Sequence, residues 1–405
     1  MSTMEVAVEG ADVLPTGWKQ VQLGDLLDGI IGGGTPSRNV ARYWNGDIPW
    51  ITVKDMRTTR PEAIQEYITQ AGVDECATNI IPGDTVITAT RVGLGKVVRV
   101  PYPAAINQDL KALIVGPKLD KSYLEWWILA NANYIESIGS GTTVKGIRLN
   151  QLKELEIPLA PLPEQRRIVG AIERHLGRLD AAVARLHAAK AKLKRYKQAV
   201  LKAAYSEGDW PVKSIGDVYE VFVGSTPSRS KPALWNGNIN WVSSGEVAFC
   251  DIHETKERIT EEGLGNRSTR LHPSGTVMLA MIGEGKTRGQ SAILRVPASH
   301  NQNTAAIRMP NEASSPEYLY YFFMYEYENT RRVGSGNNQM ALNKTRIQAI
   351  ELPLPEPQEQ VRVAKAIMER FIAIDETEAT LDLQLLQATR LRQAVLKRAF
   401  EGRLV

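Results

Sequence analysis

A chain that repeats itself must build similar bodies from its copies, and this chain is written twice. Gly32-Gly33-Gly34-Thr35-Pro36-Ser37-Arg38 is answered by Val223-Gly224-Ser225-Thr226-Pro227-Ser228-Arg229. Tyr43-Trp44-Asn45-Gly46-Asp47-Ile48-Pro49-Trp50 is answered by Leu234-Trp235-Asn236-Gly237-Asn238-Ile239-Asn240-Trp241, at the same offset of 191 residues. The offset drifts to 194 between Asn107-Gln108 and Asn301-Gln302, and to 195 between Gly139-Ser140-Gly141 and Gly334-Ser335-Gly336, as small insertions produce. Trp18 also corresponds to Trp210, so six of the eight tryptophans occupy paired positions. Chance does not place tryptophans in that way.

Each copy then changes character. Proline-rich stretches, Ile157-Pro158 to Pro163 and Leu352-Pro353 to Pro357, break structure and precede about 40 residues with no strong helix stop. In the first stretch Ile172, Leu179, Leu186, Leu193 and Val200 fall seven apart, with Leu176 and Val183 interleaved. In the second, Ile367, Ile374, Leu381, Ala388 and Val395 do the same, with Phe371 and Leu385 between. This is the seam of two helices packing side by side. A helix of that length spans about 60 Å. Lys190, Lys197 and Arg392 interrupt the later heptads, where the seam is expected to loosen.

Between the helical stretches, Thr85–Thr88, Lys96–Val100, Thr276–Leu279 and Ser291–Val296 carry strand patterns around glycine turns, and Tyr123–Tyr134 and Pro316–Tyr327 carry aromatic-rich helical ones. The expected fold is mixed α/β with pseudo-two-fold symmetry: globular domain (1–160), long helix (161–207), globular domain (208–356), long helix (357–405), with the two helices antiparallel. At roughly 150 residues per domain, 405 residues agree with two such bodies plus a helical pair.

Composition excludes some classes and identifies none. At 43% hydrophobic and 23% charged, the chain is an ordinary globular one. No run approaches the roughly 20 apolar residues of a membrane span, and Met1 to Glu9 lacks the basic start and apolar stretch of a signal peptide. Cys76 and Cys250 form no CxxC pair, so neither a disulfide framework nor a thiolate zinc site is expected. These readings place the chain in the reducing cytoplasm with no membrane contact. The net charge of +4 is too mild to name a nucleic-acid partner.

Catalytic motifs fail one by one. Ala280-Met281-Ile282-Gly283-Glu284-Gly285-Lys286-Thr287 fits a relaxed phosphate-binding loop, but such a loop needs a helix directly after the Lys-Thr, and here a strand pattern follows Arg288-Gly289-Gln290. The first copy carries Gly93-Leu94-Gly95-Lys96 between strands, so a duplicated hairpin turn presenting a lysine accounts better for both. The five histidines (His175, His187, His253, His272, His300) give no HExxH, and no GxSxG elbow occurs. A nuclease or NTPase acting alone through the 280–287 loop is the alternative reading that remains.

The positive signals point to DNA. Arg38, Arg42, Arg91 and Lys96 in the first half, and Arg229, Lys231, Lys286 and Arg288 in the second, lie in or beside glycine-rich loops. Thr35, Ser37, Thr226 and Ser228 share those loops. Such groups suit phosphates, which position a protein on a duplex without reading it. Asn107-Gln108 and Asn301-Gln302 offer the amide that suits adenine, or equally cap turns. Two exposed polar stretches differ between the copies: Lys54-Asp55-Met56-Arg57 faces Gly245-Glu246-Val247-Ala248, and Thr142-Thr143-Val144-Lys145 faces Asn337-Asn338-Gln339-Met340. Different side chains there would read different bases, or would simply record drift. The first long helix is basic, with eleven Lys/Arg from Arg166 to Lys202 against Glu173 and Asp180.

The Gly-Gly-Thr-Pro-Ser-Arg and Tyr-Trp-Asn-Gly-Asp-Ile-Pro-Trp blocks, Arg91-x-Gly-x-Gly-Lys96, Pro163-Glu164-Gln165-Arg166-Arg167-Ile168 and the ending Ala399-Phe400-Glu401-Gly402-Arg403-Leu404-Val405 together resemble the DNA specificity subunit of type I restriction-modification systems. Asn240 in place of the block's proline, Ser225 in place of a glycine and the lack of an arginine matching Arg91 in the second copy are departures. The resemblance implies two target recognition domains, each reading half of a split site on double-stranded DNA, with the helices as a ruler. It implies no catalysis and no cofactor in this chain. Two methyltransferase subunits would use S-adenosylmethionine to methylate adenine N6, and restriction subunits would use ATP and Mg to cleave unmethylated DNA.

Overall fold

The computed structural model describes residues 14–141, 144–206, 208–265, 271–283, 285–309, 315–332 and 342–404. Packing divides the chain into two units, Met1–Leu186 with Leu383–Val405, and His187–Asp382. This division cuts across the chain order. Each unit takes one globular domain, the adjoining half of its own long helix and the opposing half of the other.

In the first unit, Leu27–Gly32, Leu110–Val115, Val86–Ala89 and Val97–Val98 form an antiparallel sheet in that order. A second sheet orders Tyr67–Ile68, Trp44–Ile51, Ala104–Ile106 and Ile80–Ile81, with its central pair parallel. The second unit repeats the plan. Glu220–Val223, Thr304–Arg308, Val277–Ala280, Ser291–Leu294 and Cys250–Ile252 form one sheet, and Glu257–Ile259, Trp235–Val242 and Ala298–His300 the other. In each domain the first and last strands pair with one another: Lys19–Gln22 with Glu156–Leu159, and Val212–Ser214 with Glu351–Pro353. The chain therefore leaves each domain where it entered, at the foot of a long helix.

The Trp-Asn-Gly block opens the longest strand of each domain. Asn45 and Asn236 both sit at φ 61°, a left-handed conformation that asparagine tolerates better than most residues. A Cβ on Gly46 or Gly237 would stand 2.4 Å from the carbonyl oxygen of Ile68 or Ile259, so only glycine fits this bulge.

The long helices run over Leu162–Ser206 and Pro357–Phe400, 45 and 44 residues. A buried glutamine locks the start of each. Gln165 Nε2 donates to the carbonyls of Lys118 and Ala160 (3.0 and 2.7 Å), and its Oε1 accepts from Asp120 N (2.8 Å). Gln360 does the same with Pro355 O and Ser315 N (2.9 and 3.3 Å). The heptad positions are buried at the helix ends and half-buried between. Where the seam was expected to loosen, ion pairs bridge it. In the second unit Lys190 reaches Asp382 (2.6 Å) and Lys197 reaches Asp375, so the helices are antiparallel there. In the first unit Arg392 bonds Asp180. Asp180 and Asp375 are repeat partners, as are Lys197 and Arg392, so one ion pair has been built twice. No helix among the described residues is long and apolar enough to cross a membrane.

The second domain differs in burying His300, where the first has Ile106. Its Nδ1 contacts Thr304 Oγ1 (2.8 Å) and Asn301 O (3.2 Å), while Nε2 lacks a partner and the ring packs 5.0 Å from His272, which accepts from Arg308 Nε. Burial pushes His300 from 6.5 down to about 4. The fold holds the neutral ring, and the unfolded chain takes up a proton as pH falls through about 6.5. Stability from this site is therefore complete above that pH and declines toward pH 4. His300→Ile should remove that decline: in denaturant melts of the full chain, the stability of the variant relative to wild type should rise as pH falls from 7.5 to 5, by about 1–2 kcal/mol. A difference that stays flat would contradict the buried neutral ring.

Candidate nucleic-acid interface

The duplicated motifs meet in a clamp. Trp44 and Trp50 pack edge to face at 5.1 Å, as do Trp235 and Trp241. Their indole N–H groups hold the glycine-rich loop from inside: Trp44 donates to Ser37 O and Trp50 to Gly34 O (3.1 Å each), and Trp235 donates to Ser228 O and Trp241 to Ser225 O (3.1 and 3.2 Å). Arg38 lies 3.7 Å over the Trp44 ring and forks onto Glu66; Arg229 lies 3.8 Å over Trp235 and forks onto Glu257. The bidentate arginines hold both glutamates below the usual carboxylate range. The sequence offered Arg38 and Arg229 to phosphates; the structure gives each guanidinium a carboxylate and an indole of its own domain. Arg42 is likewise engaged, donating to Glu75 (2.5 Å), which also accepts from Tyr43.

The Asn-Gln pairs divide by direction. Asn107 and Asn301 are buried, and their side-chain oxygens accept from the backbone of Asp109 (3.2 Å) and Asn303 (3.0 Å), which makes them turn formers. Gln108 and Gln302 point outward. Each accepts through Oε1 from the hydroxyl of Thr35 or Thr226, leaving its amide NH2 exposed. A residue that sequence reasoning missed supports the first turn: half-buried Lys111 donates to Gln108 O (3.1 Å) and Leu110 O (3.2 Å), and desolvation lowers its pKa. A lysine inside the apolar strand Leu110–Val115 was the available signal.

Backbone hydrogen bonds tie the surrounding loops into one surface. In the first domain Asn107 N bonds Ile51 O, Thr90 N bonds Asp109 O, Val92 N bonds Lys145 O and Ile147 N bonds Thr90 O. Lys54, Arg57, Lys96 and Lys145 stand exposed on these loops with no side-chain bond or ion pair among the described residues, and Arg91 pairs loosely with Asp109 (3.5 Å). In the second domain Ser225 N bonds His300 O, Asn301 N bonds Val242 O and Met281 N bonds Asn303 O. Ser37, Ser228 and Lys231 are exposed there and in the matching loop, with Ser228 bonded to Ser230 (2.8 Å).

The divergent stretch 54–57 has a clear pattern. Asp55 and Glu246 both close capping boxes, on Thr52 and Ser243. Met56 and Val247 are both buried. The copies differ at the exposed positions, Lys54 and Arg57 against Gly245 and Ala248. Thr142, Thr143, Asn337, Asn338 and Gln339 lie outside the described residues.

The strands that flank the 280–287 segment form a hairpin. Val277–Ala280 and Ser291–Leu294 pair antiparallel, Gly289 N bonds Ala280 O (2.8 Å), and the chain enters the next strand without a helix. Exposed Lys286 is fixed through its carbonyl by Tyr327 Oη, and Arg288 donates to Arg331 O (2.8 Å). Among the described residues of the segment there is no helix N-terminus whose dipole could hold phosphates, so the NTPase alternative is not supported.

The model of the type I restriction modification DNA specificity domain matches the chain twice, at residues 15–188 and 207–387. The chain is 24% identical over 296 residues to the specificity subunit of type I restriction enzyme MjaIX of Methanocaldococcus jannaschii, covering 67% of each. It is 34% identical over 150 residues to that of EcoR124I/EcoR124II of Escherichia coli, 35% of this chain and 37% of that one. In fold it is similar to a chain from a structure titled for complex assembly and conformational transition of the type I R-M system, with a TM-score of 0.80 at 18% identity over 96% of this chain and 99% of the other. The HsdS subunit from Thermoanaerobacter tengcongensis gives 0.61 at 20% identity, over 96% and 98%.

The inward and outward amides should separate in a melt. Asn107→Ala removes a turn bond inside a buried site and should cost about 1 kcal/mol, whereas Gln108→Ala should stay within about 0.5 kcal/mol of wild type. Equal losses would show that Gln108 is also part of the scaffold.

Proposed function

The chain belongs to the type I restriction-modification DNA specificity family, and from that premise we propose that each of its two domains reads one half of a bipartite duplex site through the loop surface described above. It is a specificity subunit without catalytic activity of its own. The observation that carries the two-reader reading is the split between matched and divergent positions: Asp55/Glu246 and Met56/Val247 keep one scaffold, while the outward neighbours differ. Two copies of one scaffold with different exposed groups suit an asymmetric site. Gln108 and Gln302 are the candidates for base edges, since a glutamine amide matches adenine N6/N7, and Lys54, Arg57, Lys96 and Lys145 are the candidates for phosphates.

The chemistry then belongs to partners. Two methyltransferase subunits using S-adenosylmethionine would modify adenine N6 on DNA that this chain has positioned, and restriction subunits using ATP and Mg would cut unmethylated sites. The long helices, each shared by both units, would set the gap between half-sites. Methylome sequencing of cells with and without the system tests this: an adenine motif in two parts with an unspecified gap is expected, and a continuous motif or cytosine methylation would overturn it. In binding titrations, Lys54→Ala and Arg57→Ala should each weaken binding across sequences and reduce the slope of log K against log salt by about 1, while Gln108→Ala should relax specificity at one position. An unchanged slope would remove both cations from the interface.

A further inference from the structure

The two units share a frame and part where an aromatic-rich helix ends on the close of a long helix. Tyr123 and Tyr318 both donate to a proline carbonyl, Pro158 at 2.6 Å and Pro353 at 2.7 Å. Tyr123 meets Phe400 at 5.0 Å, where Tyr318 meets Tyr205 at 5.1 Å. In the second unit the helix Pro316–Tyr325 ends on a ring that stacks on Tyr205, centroids 5.6 Å apart and planes 22° apart, with its hydroxyl 3.4 Å from Ser206 Oγ. The matching helix Lys121–Ala130 ends on alanine, and Glu401 takes the place of Ser206. The first unit is left with an open cleft of about 540 Å³, walled by Trp127, Leu396 and Phe400. Glu401 stands at one end, its side chain only 16% exposed, paired with Lys397 (3.6 Å) and Arg403 (3.4 Å).

We propose that this cleft is a one-sided docking site for a tyrosine side chain presented by a partner subunit. The second unit shows which group fills such a frame: a phenol ring on the aromatic residue of the helix end, its hydroxyl toward the next residue. In the first unit that residue is a carboxylate, which accepts from a phenol and repels an acidic side chain. The cleft exceeds a single ring and lies within the range of ligand sites, so it has room for flanking backbone, and the rim residues Lys397 and Glu156 suit a polypeptide. Buried aromatic anchors of this kind carry much of the energy of an interface. Because the second unit supplies its own ring, a partner meets inequivalent surfaces on the two units. The proposal rests on reading the chain as a subunit that assembles with others.

The test uses the full chain with p-cresol, followed by ligand-observed NMR, and with the methyltransferase subunit encoded beside it, followed by native mass spectrometry. Wild type should take a single p-cresol, Ala130→Tyr none and Tyr325→Ala two. Ala130→Tyr should also weaken one subunit-binding step about tenfold, with DNA affinity of the chain unchanged and Tm held or raised by up to about 4 °C. Equal p-cresol binding by wild type and Ala130→Tyr overturns the site. Loss of p-cresol binding with assembly unchanged overturns the protein partner and leaves a site for free phenols. If wild type itself takes p-cresol but assembles with no methyltransferase subunit, the subunit reading fails instead. Should Ala130→Tyr not fold, Ala130→Leu blocks the same space without a hydroxyl.

Discussion

Each recognition domain borrows the end of the distant helix to finish its core, and the rest of the structure depends on that loan. Tyr123, Trp127 and Ile128 pack with Ile168, Ile172 and Leu176 of the first long helix, and Leu396, Ala399 and Phe400 of the second close the cluster. In the other unit Tyr318, Leu319 and Phe322 pack with Leu201 and Tyr205 of the first helix and with Val363, Ile367 and Phe371 of the second. Burying a side chain of this size contributes about 1.5–3 kcal/mol, so these few residues outweigh the exposed ion pairs along the seam, worth about 0.2–1 kcal/mol each. The charges have a different use. An apolar seam tolerates sliding by a heptad, whereas Asp180–Arg392 and Asp375–Lys197 accept one register.

The repeat made much of this legible. Paired tryptophans, Thr-Pro-Ser-Arg and the heptads depend on local spacing, and local spacing survives in sequence. The first long helix covers Leu162–Ser206 where 161–207 was expected, and the second starts at the expected Pro357 but ends at Phe400, short of 405. What failed to show was direction. Arg38 and Arg229 stand in exposed, glycine-rich loops that look ready for phosphate, yet each meets a carboxylate 28 residues further along the chain, Glu66 just before the strand Tyr67–Ile68 and Glu257 at the start of Glu257–Ile259. Glu66 and Glu257 keep the 191-residue offset, so the pairing was available to a reading that asked which acids repeat along with the arginines. The same holds for Asp180 and Asp375, whose recurrence would have turned an expected loosening of the seam into an expected salt link. Asn107 and Gln108 are neighbours of similar chemistry, and only the fold shows that one faces in and the other out.

Pseudo-symmetry explains how a protein of this kind reads an asymmetric site. The scaffold positions, Trp-Asn-Gly, the capping acids and the buried turn asparagines, are duplicated because both domains need the same loop geometry. Specificity is then free to differ at exposed positions whose substitution costs the fold little. Among the departures from symmetry, His300 for Ile106 and Tyr325 for Ala130 separate the domains in pH response and in the surface left open to partners.

The central claim is that two independent readers share one helical frame. Exchange of residues 14–155 for those of a relative with a different target, followed by methylome sequencing, tests it most directly. One half of the methylated motif should change while the other half and the gap stay as they were. A change in both halves, or in neither, would contradict it.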